Sequence, residues 1–194
     1  IYGYGDNVTV KNLTIDGMTI DYTAQPIVGG NYYHAFGALA GFVGDGFTAE
    51  NVRVKNVTMQ LNLLGEEGDA YTSAHLLPAE CIGGLIGYAK GSVTLTGCTV
   101  EDMTVNVTDK NDNGGTRFLI GGLIGYADAL YTPYDAGGNW VDNDYRGNGS
   151  VSIIGCTVTN MTVDKNDATG ALVGGFLGGI CKSATSKDEI TYSV

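Results

Sequence analysis

Gly83-Gly84-Leu85-Ile86-Gly87-Tyr88-Ala89, followed after three residues by Val93-Thr94-Leu95-Thr96-Gly97-Cys98-Thr99-Val100, decides the fold, because the chain says nearly the same thing elsewhere. The glycine-rich half recurs as Gly37-Ala38-Leu39-Ala40-Gly41-Phe42-Val43, as Gly121-Gly122-Leu123-Ile124-Gly125-Tyr126-Ala127 and as Gly174-Gly175-Phe176-Leu177-Gly178-Gly179-Ile180. The Val/Thr-rich half recurs from Leu13-Thr14-Ile15, Val52-Arg53-Val54 and Cys156-Thr157-Val158. Gly37 to Val52 is a separation of 15 residues, and Gly83 to Cys98 is 15 again. Self-similarity at a fixed spacing is the mark of stacked structural units that bury a continuous core between neighbours.

The Val/Thr-rich half also shows how each unit bends. In the first copy the apolar residues come as Val8 and Val10, then Leu13 and Ile15, then Met18 and Ile20. Within a pair they alternate with polar residues, as in a half-buried strand; between pairs the parity slips by one, at Lys11-Asn12 and at Asp16-Gly17. A slip in a period of two means that the chain has turned a corner and kept its apolar side inward. The third copy (Val93, Leu95; Cys98, Val100; Met103, Val105) and the fourth (Val151, Ile153; Cys156, Val158; Met161, Val163) repeat this, and the second (Phe47, Ala49; Val52, Val54; Val57, Met59) follows. Apolar residues at i, i+3, i+4 and i+7 are absent and β-branched residues dominate, so helices are excluded. The expected fold is all-β: a parallel β-helix-like solenoid of about four coils over residues 1–194, with loop insertions. In the glycine block both parities are apolar (Leu85 and Ala89 against Ile82, Ile86 and Tyr88), which predicts a further face of close approach, covered on its outer side if both parities are buried.

Composition narrows the partners. The 194 residues carry a formal net charge of −11 with only 10 Lys and Arg, which disfavours nucleic acid and anionic membranes. No run of 18 apolar residues is present to span a bilayer, and no charged-then-apolar leader opens the chain. Ile1 runs directly into a strand-like pattern and the fourth coil is incomplete after Ile180, so a fragment of a longer array, or self-association through open solenoid ends, is expected. Cys98 and Cys156 stand where Leu13 and Val52 stand in the other copies, and so read as buried small apolar residues; no spacing among the four cysteines calls for a disulfide.

Insertions between the constant pieces fall at about 24–34, 62–80, 106–117, 128–147 and 164–169. The longest, 128–147, holds the only Trp of the chain, Trp140, with Tyr131, Tyr134, Tyr145, Asp142 and Asp144. Aromatic faces beside carboxylates suit stacking on a sugar ring and hydrogen bonding to its hydroxyls, or contact with a protein surface, so these six residues are the candidate ligand-binding set; the competing reading folds them back over the glycine face. Other constellations fail on spacing. Asp109 to Gly114 begins like a calcium loop but places Ile120 at the bidentate position, and Asp142 to Gly147 places Arg146 where an oxygen belongs, so no metal or cofactor is expected. Asp16, Glu101 and Asp102 fall at corners, where solvated carboxylates are ordinary. His34 and His75 read as loop residues without a nucleophile nearby. A column of Thr19, Thr58, Thr104 and Thr162 is expected on one outward face; the neighbouring rank (Thr14, Arg53, Thr99, Thr157) is interrupted and lies across a corner, which argues against an ice-binding plane. Six Asn-X-Ser/Thr sequons read as a by-product of Asn at corners beside Thr on faces.

The pairing of Gly-Gly-Leu-Ile-Gly-Tyr-Ala with Gly-Ser-Val-Thr-Leu-Thr-Gly-Cys-Thr-Val resembles the GLUG-motif repeat, well over 83–108 and, split by the long insertion, over 121–163. The resemblance implies a secreted or surface β-solenoid of bacteria, of the kind found in adhesins and IgA-protease-type proteins, and it brings no catalytic residues. The expected function is a non-catalytic, adhesin-like extracellular or cell-surface module that presents loops to a host or bacterial surface protein or glycan, or acts as a spacer. The alternative is a carbohydrate-active β-helix enzyme, a lyase or hydrolase, which needs two carboxylates converging in one groove or a carboxylate-bound calcium beside an Arg.

Overall fold

The computed structural model describes residues 7–24, 34–63, 80–109, 118–128, 150–166 and 171–181, and within them the chain is entirely β. The strands wind into four rungs. Rung 1 holds β1 (Thr9–Lys11), β2 (Thr14–Asp16), β3 (Thr19–Ala24), β4 (His34–Gly37) and β5 (Ala40–Val43). Rung 2 holds β6 (Phe47–Glu50), β7 (Arg53–Leu63), β8 (Glu80–Gly83) and β9 (Ile86–Lys90). Rung 3 holds β10 (Val93–Thr96), β11 (Thr99–Asp109), β12 (Phe118–Gly121) and β13 (Ile124–Asp128). Rung 4 holds β14 (Val151–Ile154), β15 (Thr157–Thr159), β16 (Thr162–Asp164), β17 (Ala171–Gly174) and β18 (Leu177–Cys181).

Equivalent strands of successive rungs pair in parallel, giving four sheets. Sheet I is β1-β6-β10-β14. Sheet II is built on β7 and β11, flanked by β2 and β3 on one side and by β15 and β16 on the other. Sheet III is β4-β8-β12-β17, and sheet IV is β5-β9-β13-β18. The parallel β-solenoid of four coils read from the repeats is therefore the fold. The threonine column is real as well: Thr19, Thr58, Thr104 and Thr162 are register partners, and so are Thr14, Arg53, Thr99 and Thr157 in the next rank.

The corners lie where parity slips, and their residues have the backbone that a sharp bend demands. Asn12, Asn51, Gly97 and Gly155 form one corner and Gly17, Asn56, Asp102 and Asn160 the next, all with φ between 53° and 76°. This left-handed region is costly for residues with an ordinary side chain, and Gly, Asn and Asp enter it most readily. Four of the six sequon asparagines (Asn7, Asn12, Asn56 and Asn160) are such corner residues. Corner side chains link rungs: Asn51 Nδ2 donates to Asn12 Oδ1 at 3.3 Å, Asn56 Nδ2 to Asp16 Oδ1 at 2.7 Å, and Asn160 Nδ2 to Asp102 Oδ1 at 2.9 Å.

Inside, each apolar position becomes a column. Phe47, Leu95, Val54, Val100, Met59, Val105, Ile82, Ile120, Ile86 and Ile124 are all but fully buried in one continuous core. The outer rungs are less covered: Val10, Ile15 and Ile20 of rung 1 and Val158, Met161 and Val163 of rung 4 are only partly buried. Among the described residues, the exposed large apolar side chains, Ile154, Leu172 and Val173, all belong to rung 4.

The glycine block differs from the expectation of one further face. It forms two, β8 with β9 and their equivalents, folded sharply against each other at Gly-Gly-Leu. Leu85, Ile86 and Ala89 enter the main core, whereas Cys81 and Tyr88 join Leu119 and Tyr126 in a second buried cluster. Parity thus slips once more inside β9, at Gly87. A Cβ on Gly87 would lie 2.7 Å from Ala35 C and Gly41 O, and one on Gly125 2.6 Å from Gly87 O and 2.7 Å from Ile82 C. Only glycine lets the two sheets meet backbone to backbone here. Both parities are apolar because both sides are buried. On the second side Phe42 and Tyr88 stack, with ring centroids 4.8 Å apart and planes 9° from parallel, and Tyr126 continues the ladder at 5.5 Å.

Candidate functional site

The stretches that separate the described strands recur at regular places in the sheet order. The excursions 25–33, 64–79, 110–117 and 167–170 all run between the last strand of sheet II and the first of sheet III, so four successive rungs open at one seam. Excursion 129–149 is placed differently, between sheet IV and sheet I. Several strands extend further than the repeat suggested. His34 and Glu80 are the first residues of β4 and β8, and β11 continues to Asp109, so these residues belong to the scaffold rather than to loops.

A polar cluster occupies this seam. The inward column at the end of sheet II reads Tyr22, Leu61, Val107, and the one at the start of sheet III reads His34, Glu80, Phe118, Ala171. In rung 3 these positions are a fully buried Val107 and Phe118. In rung 1 Tyr22 and His34 replace both, and in rung 2 Glu80 replaces Phe118 while Leu61 keeps the other position apolar. Glu80 is 2% exposed, and its Oε1 lies 2.7 Å from His34 Nδ1. His34 Nε2 lies 3.2 Å from Tyr22 Oη, and the Tyr22 ring packs on Phe36 at 5.0 Å.

The electrostatics follow from burial. A carboxylate between His34 and Phe118 is costly unless paired, and the imidazole supplies the partner. The hydrogen bond that His34 Nδ1–H donates to Glu80 raises the His34 pKa, outweighing the opposing effect of burial, with the carboxylate's charge adding to it. Burial, and then the same carboxylate, raise that of Tyr22. With Nδ1–H held by Glu80, protonation changes Nε2: it donates to Tyr22 Oη when charged and accepts from Tyr22 O–H when neutral. The cluster can hold or release one proton at the root of the first two seam excursions. His34 Nε2 is engaged by Tyr22.

Among the described residues, three further ion pairs lie on the outer surface and link successive rungs. Lys11 Nζ meets Glu50 at 2.6 Å, Lys55 Nζ meets Asp16 at 2.7 Å, and Arg53 Nη2 meets Glu101 at 2.7 Å. Hydrogen bonds from Lys55 and Asn56 hold Asp16 below the usual carboxylate range, and Glu101 raises Arg53. Pairs as exposed as these contribute little to stability. Asp16, Glu101 and Asp102 thus sit on the outer surface, paired with neighbours on adjacent rungs. No group of three or more His, Cys, Asp or Glu suited to a metal occurs among the described residues.

The residues proposed for ligand binding from sequence, Trp140, Tyr131, Tyr134, Tyr145, Asp142 and Asp144, lie outside the described residues, as do His75 and the oxygen-rich stretches after Asp109 and Asp142. Sequence reading missed the Tyr22–His34–Glu80 cluster. A signal for it was present: His34, Glu80, Phe118 and Ala171 each stand three residues before the first glycine of a block. His34 is thus corrected from a loop residue to a strand residue with a buried partner. Comparison of the chain with protein-family models, with curated proteins and with solved structures returned no match.

Proposed function

We propose that the chain is a non-catalytic, adhesin-like β-solenoid module of a secreted or cell-surface protein, presenting loops to a protein or glycan partner. The observation that carries this reading is the placement of four excursions at one seam of an in-register scaffold. Segments that vary on a rigid, repetitive frame are where recognition is commonly built. The charge of −11 suits partners other than nucleic acid, and the GLUG-like motif supports a surface setting. The aromatic excursion with Trp140 offers a second contact region suited to a sugar ring.

A broad glycan array, probed with the full chain, with Trp140→Ala and with residues 64–79 replaced by a Gly/Ser linker, tests this. Binding abolished by Trp140→Ala assigns sugar recognition to 129–149. Binding abolished by the linker assigns recognition to the seam. Silence on the array, together with no binding to a panel of surface proteins, would overturn recognition and leave a spacer.

A further inference from the structure

One core column is chemically unlike the rest. It runs Leu13, Val52, Cys98, Cys156, joined by the backbone hydrogen bonds Arg53 N to Leu13 O, Thr99 N to Val52 O and Thr157 N to Cys98 O, at 2.8, 2.9 and 3.0 Å. Its last two members place two free thiols on adjacent rungs. Neighbouring strands are about 4.8 Å apart, inside the roughly 4.4–6.8 Å between Cα atoms that a disulfide spans. Cys98 N–H points at Cys156 Sγ from 3.3 Å.

The two sulfurs are unequal. Cys98 is fully buried, with Sγ 3.5 Å from Ala49 O and 3.6 Å from Thr96 O. Cys156 is only half-buried, on the rung whose neighbouring Ile154 is 49% exposed, so a small solute reaches it first. Interaction with the neighbouring Cys98 thiol, and the hydrogen bond from Cys98 N–H at 3.3 Å, favour the Cys156 thiolate and hold its pKa below the usual thiol value against the opposing effect of burial. Cys98 is shifted upward by that same thiol contact and by burial. The third described cysteine is an internal control: Cys81 lies under the aromatic ladder, and burial pushes its pKa up to about 12.

We propose that Cys156 is a peroxide-reactive thiol and Cys98 its resolving partner, so that hydroperoxides close a Cys98–Cys156 disulfide clipping rung 4 onto rung 3. In the first step Cys156 sulfur attacks one peroxide oxygen and the O–O bond breaks. Sulfur is oxidised by two electrons to the sulfenic acid, and the departing oxygen takes up the thiol proton as water or alcohol. In the second step Cys98 sulfur attacks Cys156 sulfur. The S–S bond forms, the S–O bond breaks, and the hydroxyl leaves as water with the Cys98 proton. The bridge joins residues 58 apart in sequence, enclosing the whole of excursion 129–149.

The test uses the full chain, fully reduced and then treated with about one equivalent of hydrogen peroxide. Non-reducing peptide mapping should find Cys98 joined to Cys156, Cys81 still free, and the mass lower by two hydrogens. The unfolding midpoint should rise by roughly 5–10 °C and return on reduction. In Cys98→Ser, oxidation should stop at a dimedone-trappable sulfenic acid on Cys156. Modification of Cys81 at the same rate as Cys156, bridging of Cys156 to Cys81 or Cys181, or a persistent Cys156 sulfenic acid without a bridge in the unsubstituted chain would each overturn the proposal. The mapping needs no substitution, so it decides the matter even where a variant folds poorly.

Discussion

Gly122 and Gly175 are the same letter of the same phrase, the second glycine of a Gly-Gly pair, and yet their replacement by alanine should differ sharply. A Cβ on Gly122 would press into the carbonyl oxygen of Gly175 in the next rung and lie 2.7 and 2.8 Å from the Val158 methyls. A Cβ on Gly175 meets nothing within 4 Å. To admit the methyl at Gly122, rung 4 must lift at this corner by about 1 Å, enough to forfeit a quarter to a half of the local dispersion energy. The lift also stretches three hydrogen bonds, from Gly122 N to Gly174 O at 3.2 Å and from Leu123 N and Ile124 N to Phe176 O at 3.0 Å. Overpacking of about 1–3 kcal/mol, with hydrogen bonds of about 1 kcal/mol each weakened, gives a loss of about 3 kcal/mol. For a chain of this size that lowers the thermal midpoint by roughly 6–12 °C. Gly175→Ala should be neutral or slightly stabilising, by up to about 1 kcal/mol, through the unfolded chain alone. Thermal unfolding followed by circular dichroism measures both. Equal effects of the two substitutions, or a tolerated Gly122→Ala, would refute the stacking geometry at this corner.

Two further predictions follow from position in the stack. Met103 is fully buried in rung 3, and its equivalent Met161 in rung 4 is partly buried. Met103→Ala should cost about 2–5 kcal/mol in denaturant unfolding and Met161→Ala clearly less; a reversed order would contradict the end-rung assignment. The raised pKa of His34 makes its contribution to stability fully present below the unfolded value of 6.5 and lost as pH rises through the folded value. Unfolding measured between about pH 5.5 and 8.5 should show stability falling with pH over this window, and His34→Gln should flatten the profile; an unchanged profile would contradict the His34–Glu80 pairing.

The corners were legible in the sequence because a parity slip is a local signal, and Asn12, Gly97 and Asp102 are residue types that take positive φ. The columns were legible because the same pattern of apolar pairs and corners recurs in each copy, which puts Leu13, Val52, Cys98 and Cys156 at one position of it. The doubled glycine face was not. Its parity breaks at Gly87, and a residue without a side chain cannot reveal on which side its neighbours lie. The seam cluster was missed for a different reason. His34 and Glu80 are polar types that usually mark loops, and their contact depends on one rung lying over another, which composition does not report. The offset of three residues from each glycine block carried that information, hidden because Phe118 and Ala171 occupy the same column with unrelated chemistry.

Recognition without catalysis is tested most directly by incubating the full chain with a panel of immobilised polysaccharides and assaying both phases. The expected result is retention of the protein on at least one polymer, with no new reducing ends and no unsaturated, ultraviolet-absorbing ends released. Release of such products, abolished by His34→Gln or by substitution of a seam carboxylate, would contradict it and establish a carbohydrate-active enzyme.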